Sequence, residues 1–325
     1  MRLALCAVCV FLGAVVFAVP NMTRRELLFA VPIPPDFRYS AAGLRAIWTF
    51  RALLLAVVVV GIGVLLLSPD SVLNISAAIV PIAIPLAGGI GFWWQHRRLA
   101  GAAVQFATPR ETELTSAPEK LPRFTWLLAG PFAILATTAE FLYYHWTSIP
   151  ARFAMHFDAL GQPNRWGDRT TRGVYGPLLF GTELCTWFLV MALAGWYGSR
   201  RSHSRTIMLG GMIAIAYLVG LLFALIALQP LLGMPTWVIL LLPMTILIPL
   251  MIVMANKMSE PEDPMDSTPN ECWKGGIFYY NPNDAALFVA KRDGIGFAFN
   301  FANRLSWLLL FGMALVLASA PFVVG

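Results

Sequence analysis

Two of the chain's four histidines, His145 and His156, lie close together beside Asp158 and Asp168. They sit in or next to the polar stretch Ile149–Arg172, which reads IPARFAMHFDALGQPNRWGDRTTR. Two further carboxylates, Glu140 and Glu183, bracket this stretch from inside apolar runs. Imidazole and carboxylate together are ligands for zinc or manganese, and His145, His156, Asp158 and Glu140 would be enough to hold one ion. No pair has the H-x-x-x-H or H-E-x-x-H spacing that puts two ligands on one helix face. His156 with Asp158 could instead act as an acid–base pair.

The same stretch also reads structurally. Pro150 sets how the chain enters it, and Gly161, Pro163 and Gly167 are turn formers. Trp166 is amphipathic and suits the headgroup layer. On this reading the stretch folds back as a compact lid, with its His and Asp satisfying its own backbone. Glu140 lies about one turn below the end of its apolar run, roughly 6 Å at 1.5 Å per residue. Glu183 lies deeper in the next run. An ionisable group at such a depth is a functional-site hypothesis by default. Pairing with an arginine such as Arg152 or Arg172, or hydrogen bonding to a neighbour, is the structural alternative.

These residues are positioned by a chain that is mostly apolar. Of its 325 residues, 58% are hydrophobic and 12% charged, against about 25% charged in an average soluble domain. A spanning helix needs about 20 apolar residues. Eight runs qualify: Leu3–Val19, Ala52–Leu67, Ile75–Trp94, Phe124–Tyr144, Val174–Tyr197, Ile207–Leu228, Thr236–Ala255 and Leu305–Val324. Aromatic residues at their ends, such as Trp93, Trp94, Tyr143, Tyr144, Trp196 and Tyr197, match the membrane interface. The predicted fold is an all-α polytopic membrane protein of about eight transmembrane helices, with a small cytoplasmic β-hairpin before the last helix.

Orientation follows from charge. If all eight runs span, 18 of the 23 Lys and Arg fall on one side, which the positive-inside rule makes cytoplasmic. The other side holds Arg2, Arg152, Arg165, Arg169 and Arg172. Both termini and the 145–173 loop are then outside. Cleavage of the first run as a signal peptide would leave Arg24 and Arg25 on the wrong side, so the run is read as retained. The net charge of +6 is explained by topology, and no nucleic-acid partner is expected.

The division of the chain follows. Residues 1–19 form the first span and 20–51 a cytoplasmic segment, with Glu26–Ile33 extended because Pro32, Pro34 and Pro35 forbid a helix. Leu44–Phe50 begins the second helix. Spans two and three occupy 52–94, a cytoplasmic connector 95–123, spans four and five 124–197, and spans six and seven 198–255. An acidic, proline-rich linker follows at 256–270. The cytoplasmic hairpin domain is 271–304, with Ile277–Tyr280 and Leu287–Ala290 as two strands around Asn281-Pro282-Asn283-Asp284. The last span is 305–325. Gly294-Ile295-Gly296 lacks the spacing of a nucleotide fingerprint, and no cofactor is expected. Cys6 and Cys9 form a C-x-x-C inside an apolar run and are read as packing residues. Pro81, Pro85, Pro243 and Pro249 kink or break the third and seventh spans.

Pro150, His156-Phe157-Asp158 and Gly161-Gln162-Pro163-Asn164-Arg165-Trp166-Gly167 together resemble a domain of unknown function found at the start of SdpI-type bacterial immunity proteins. The Trp273–Trp307 segment resembles a second uncharacterised domain, usually found in the same longer chains. The resemblance implies a bacterial plasma membrane protein that protects a cell from a secreted peptide toxin and can sequester a repressor at the membrane. The residues that carry it over are His156 and Gly161, with Pro150 and Trp166 behind them.

Three functions therefore compete. The first is a binding or immunity protein that captures an extracellular peptide or lipid-linked ligand through Pro150, His156, Asp158, Gly161, Trp166 and Asp168, with Glu140 and Glu183 nearby, and couples to a cytoplasmic regulator. The second is a membrane enzyme, metal-dependent or not. The third is a transporter using Glu140 and Glu183.

Overall fold

The computed structural model describes residues 2–23, 27–103, 120–199, 202–239, 241–243, 245, 247, 270–291 and 296–323. Seven helices among them are long and apolar enough to cross a membrane. They coincide with seven of the eight predicted runs. The eighth, Thr236–Ala255, falls largely outside the described residues, as does the linker 256–269. The chain divides into two units, each with its own core.

The first unit comprises Met1–Thr112, Ala255–Tyr280 and Ala290–Ala298. Its helices are α1 (Arg2–Met22), α2 (Ala41–Leu67) and α3 (Asp70–Leu99). They approach closely because small residues face β-branched ones. A Cβ added at Gly88 would lie 2.5 Å from Val16, and one at Gly61 would lie 2.6 Å from Val80. Lipid supplies little hydrophobic drive between helices, so this close packing holds them together. Pro81 and Pro85 lie inside α3, which nevertheless runs as one helix over 30 residues. The broken third span that a transport mechanism would use is therefore not formed.

The second helix starts at Ala41, ahead of both the predicted Leu44 lead-in and the Ala52 apolar run. Ser40 caps it, its Oγ accepting from the Gly43 N–H at 3.2 Å. Ala46, Ile47, Phe50, Leu54 and Val58 then present one buried face at helical spacing. Before the cap, the expected extended segment is a strand pair, β1 (Leu27–Leu28) with β2 (Val31–Pro32). Its turn residues Phe29 and Ala30 have φ of 49° and 59°, a left-handed conformation costing about 1–3 kcal/mol per non-glycine residue. The side chain of Phe29 offsets this. It is buried edge-on against Phe50 and Phe92, with ring centroids 5.3 and 5.6 Å away, a burial worth about 1.5–3 kcal/mol.

The second unit comprises Glu113–Met254, Asn281–Val289 and Phe299–Gly325. A 3₁₀ stretch (Arg123–Ala129) leads into α4 (Gly130–Tyr144), which with α5 (Thr171–Gly198), α6 (Ser202–Leu232) and α7 (Arg304–Val323) makes up its helices of spanning length among the described residues. Between α4 and α5 lies a strand pair, β3 (Arg152–Phe157) with β4 (Pro163–Asp168). It stands where the sequence predicts a compact lid whose His and Asp satisfy its own backbone.

The 271–304 segment forms two strand pairs rather than the single predicted hairpin. β5 (Trp273–Lys274) pairs with β6 (Phe278–Tyr279), and β7 (Phe288–Ala290) pairs with β8 (Phe297–Phe299). Gly275 and Gly276, with φ of 60° and 75°, turn the chain early and give β6 its partner on the N-terminal side. The Asn281–Asp284 turn does form, its Asp284 N–H donating to Asn281 O. The chain then leaves for the end of α5, where Leu287 N–H donates to Gly198 O at 2.9 Å. Asn300, fully buried, holds this arrangement. Its Nδ2 donates to Asn281 O and Asp284 O, and its Oδ1 accepts from Asn281 and Ala302 N–H.

Five arginines close helix ends. The last carbonyls of a helix lack internal partners and carry the negative end of its dipole. Arg2 donates to Leu65 and Leu66 O at the end of α2 and pairs with Asp70. Arg38, buried, donates to Pro20 O in the last turn of α1 and to Thr23 and Leu27 O beyond it. Arg205, also buried, donates to Ser199 O after α5. Arg172 reaches Pro321 O in α7, and Arg169 closes the end of α4. So three of the arginines assigned to the charge-poor side, Arg2, Arg169 and Arg172, are committed to helix ends.

Candidate functional site

The β3–β4 hairpin is built by alternation. Phe153 is buried and Met155 and Phe157 are partly so, whereas Arg152 and His156 are exposed. This period of two marks a half-buried strand. It is legible in Phe153-Ala154-Met155-His156-Phe157, but the turn formers that follow and the apolar helices on either side mask it. Phe153 joins Ile149, Val174 and Leu178 in the core, with Trp146, Met155 and Tyr175 packed around them. Trp146 and Tyr175 stack at 6.0 Å and 10°. Gly167 lets the strands close: a Cβ there would lie 2.0 Å from the Met155 sulfur. The register shifts between Ala154 and His156 and again before Phe157, and such bulges re-aim side chains.

Asp158 makes the turn. Its Oδ1 accepts from Leu160 and Gln162 N–H at 2.9 and 2.8 Å, and Gly161 follows at φ 83°. One oxygen of this candidate ligand is thus committed to the backbone. His156 is exposed, and its Nδ1 hydrogen-bonds Asn164 Oδ1 across the hairpin. Trp166 is 50% exposed, with the Arg152 guanidinium 5.8 Å from its ring centroid. Asp168 stands opposite Arg152 in the ladder. Pro150 is exposed just ahead of β3.

Arg169, which the sequence does not single out, ties the hairpin to α4. Its Nη1 donates to Trp146, Thr147 and Ile149 O at 3.2, 3.0 and 2.8 Å, and its own N–H donates to Ala151 O. The only hint in sequence is an arginine just before the Thr170 cap of α5.

The remaining candidates do not converge. His145 Nδ1 donates to Phe141 O at 2.9 Å and its ring lies 4.2 Å from Phe141. Glu140 is exposed on α4 and makes no hydrogen bond or ion pair among the described residues. Glu183 accepts from Ser319 Oγ of α7. Of the two structural alternatives, Glu183 takes the hydrogen bond to a neighbour, and neither glutamate meets Arg152 or Arg172: Arg172 donates to Pro321 O and Arg152 lies over Trp166. Among the described residues no three His, Cys, Asp or Glu side chains are grouped to hold a metal ion. The set His145, His156, Asp158 and Glu140 is dispersed over a helix end, a strand, a turn and an exposed helix face. Nor do His156 and Asp158 hydrogen-bond to each other, as an acid–base pair would.

The geometry defines a class: a multi-pass helical membrane protein that displays a hairpin from one helix junction. Residues 133–180, which span α4, the hairpin and the start of α5, match the model of a domain of unknown function, DUF1648. Residues 282–307, which span the Asn300 staple and the start of α7, match a family of unknown function, DUF5808. Both fall where the sequence resembles uncharacterised domains. No curated protein and no solved structure matches the chain.

Proposed function

We propose that this protein is a membrane receptor of the immunity or signalling type, whose β3–β4 hairpin captures a secreted peptide or lipid-linked ligand on the outer side of a bacterial plasma membrane. The observation that carries this reading is the hairpin's form. It is a two-stranded sheet anchored by Phe153, and neither strand pairs with a third strand among the described residues. An open strand edge is a template for an extended peptide, with main-chain bonds giving affinity and side chains giving selectivity. His156, Arg152 and Trp166 are the selective groups here, as an exposed imidazole, a stacked cation and an exposed indole. Pro150 and Asp168 flank them, Asp158 and Gly161 shape the turn, and Glu140 offers a carboxylate on the preceding helix. The 271–304 segment is the corresponding cytoplasmic element, where a regulator would dock. The resemblance to SdpI-type proteins supports the same roles.

The dispersal of the metal candidates and the unbroken α3 give the enzyme and transporter readings less support. Two experiments test the receptor. A cysteine introduced at Gln162 should react with a membrane-impermeant maleimide on intact cells. Labelling only after lysis would place the hairpin in the cytosol and end the proposal. Cells carrying the chain should also survive a secreted peptide encoded beside its gene, and His156→Ala with Trp166→Ala should lower that protection at least tenfold, the loss of about 1.4 kcal/mol, at unchanged membrane insertion. Full protection by the double variant would argue decisively against capture by the hairpin.

A further inference from the structure

Three tryptophan–arginine pairs gather at one end of the first unit. Arg97 lies 4.7 Å from the Trp93 ring centroid, Arg98 4.5 Å from Trp94, and Arg51 5.5 Å from Trp48. The three indoles are 46%, 44% and 58% exposed. They share a level, because a Cβ added at Gly91 of α3 would lie 3.2 Å from Phe50 and Leu53 of α2, and Phe29 packs against both Phe50 and Phe92. Arg45 is exposed on α2, between one and two turns before Arg51. None of Arg45, Arg51, Arg97 or Arg98 has a carboxylate within ion-pair distance among the described residues. Arg51 donates to the neutral Asn21 Oδ1 at 2.9 Å, which leaves its charge uncompensated. Among the described residues, Asp36 lies in the short 3₁₀ stretch just before α2.

Helix dipoles do not account for this charge. Cations in the last turn of α3 are favoured by its dipole, but Arg45 and Arg51 lie in the N-terminal part of α2, where the dipole has the opposite sign. Among the described residues no carboxylate supplies the counter-charge. Stacking on an indole holds a guanidinium plane and leaves its N–H edge free, the geometry that binds phosphate in bidentate fashion. Exposed tryptophans mark the headgroup layer. We infer that this end of the first unit is a binding site for anionic phospholipid headgroups, with Arg97 and Arg98 as the principal phosphate ligands and Arg45 and Arg51 completing the patch.

The test uses the full chain in neutral detergent, with its thermal midpoint followed as lipid is added. Phosphatidylglycerol should raise the midpoint saturably, and phosphatidylcholine at the same mole fraction should not. Inorganic phosphate at equal concentration should leave it unchanged. Arg97→Gln with Arg98→Gln should raise the half-saturating mole fraction roughly 25-fold, at about fivefold per arginine near an anionic surface. Arg97→Lys with Arg98→Lys should fall between. An equal shift with phosphatidylcholine overturns the site without any variant. A shift reproduced by inorganic phosphate overturns the lipid assignment, and an undiminished phosphatidylglycerol effect in the glutamine variant overturns the assignment to these arginines.

Discussion

Arg169→Met is expected to destabilise the protein by about 2–3 kcal/mol and to loosen the hairpin selectively. Three carbonyls, of Trp146, Thr147 and Ile149, lose a charged donor at once. A hydrogen bond to a charged group is worth about 1.5–3 kcal/mol. Thr147 is exposed and Arg169 itself partly so, and water replaces some of the loss, so the total stays well below three such bonds. Methionine keeps the side chain's bulk, which isolates the lost donors from lost packing. Arg169→Lys should recover less than half, because a single ammonium cannot span the three carbonyls that the guanidinium fork reaches. Thermal unfolding measures the first effect. Protease cleavage near Gln162 measures the second and should rise well before the helices unfold. Wild-type protease resistance in the methionine variant would show that the clamp is dispensable.

Asn300→Leu is expected to cost about 4 kcal/mol, more than the loss of the Arg169 clamp. The side chain is fully buried and serves both as donor to Asn281 and Asp284 carbonyls and as acceptor from Asn281 and Ala302 N–H groups. Leucine is nearly isosteric but leaves those backbone groups unpaired, and each buried unpaired group costs about 1–3 kcal/mol. Asn300→Asp keeps the acceptor and removes the two donors, so it should fall between the two. Since Leu287 connects this segment to Gly198 at the end of α5, the damage should stay local: protease should cut within 281–303 while α4, α5 and α6 remain inserted. Intact resistance there would refute the role of Asn300 as the staple of the segment.

The helices were legible because a 20-residue apolar run has one low-energy structure in lipid. Every backbone group must be bonded within the segment, and a helix does this without tertiary help. Ends were less legible. The α2 start at Ala41 depends on a Ser40 cap and on a buried face that continues beyond the apolar run. In the candidate site, residue types were legible and roles were not. Asp158 reads in sequence either as a ligand or as a lid residue satisfying its own backbone, and its Oδ1 does the second. His145 reads as a metal candidate, yet it bonds to its own helix at Phe141. Arg169, Asn300 and the Trp146–Tyr175 stack carry no local signal, because each acts on groups set by the path of the chain.

The sequence alone determined that this is a multi-pass membrane protein, where its described helices run, and which polar stretch stands apart from them. Hydropathy and backbone hydrogen bonding are local, and they suffice for that. Only the tertiary structure decided that Ile149–Arg172 holds a strand pair, that Phe278–Tyr279 pairs backward with Trp273–Lys274, and that Glu183 meets Ser319 rather than an arginine. Strand partners and side-chain contacts are choices among near-equal alternatives, and only the packing of distant segments separates them.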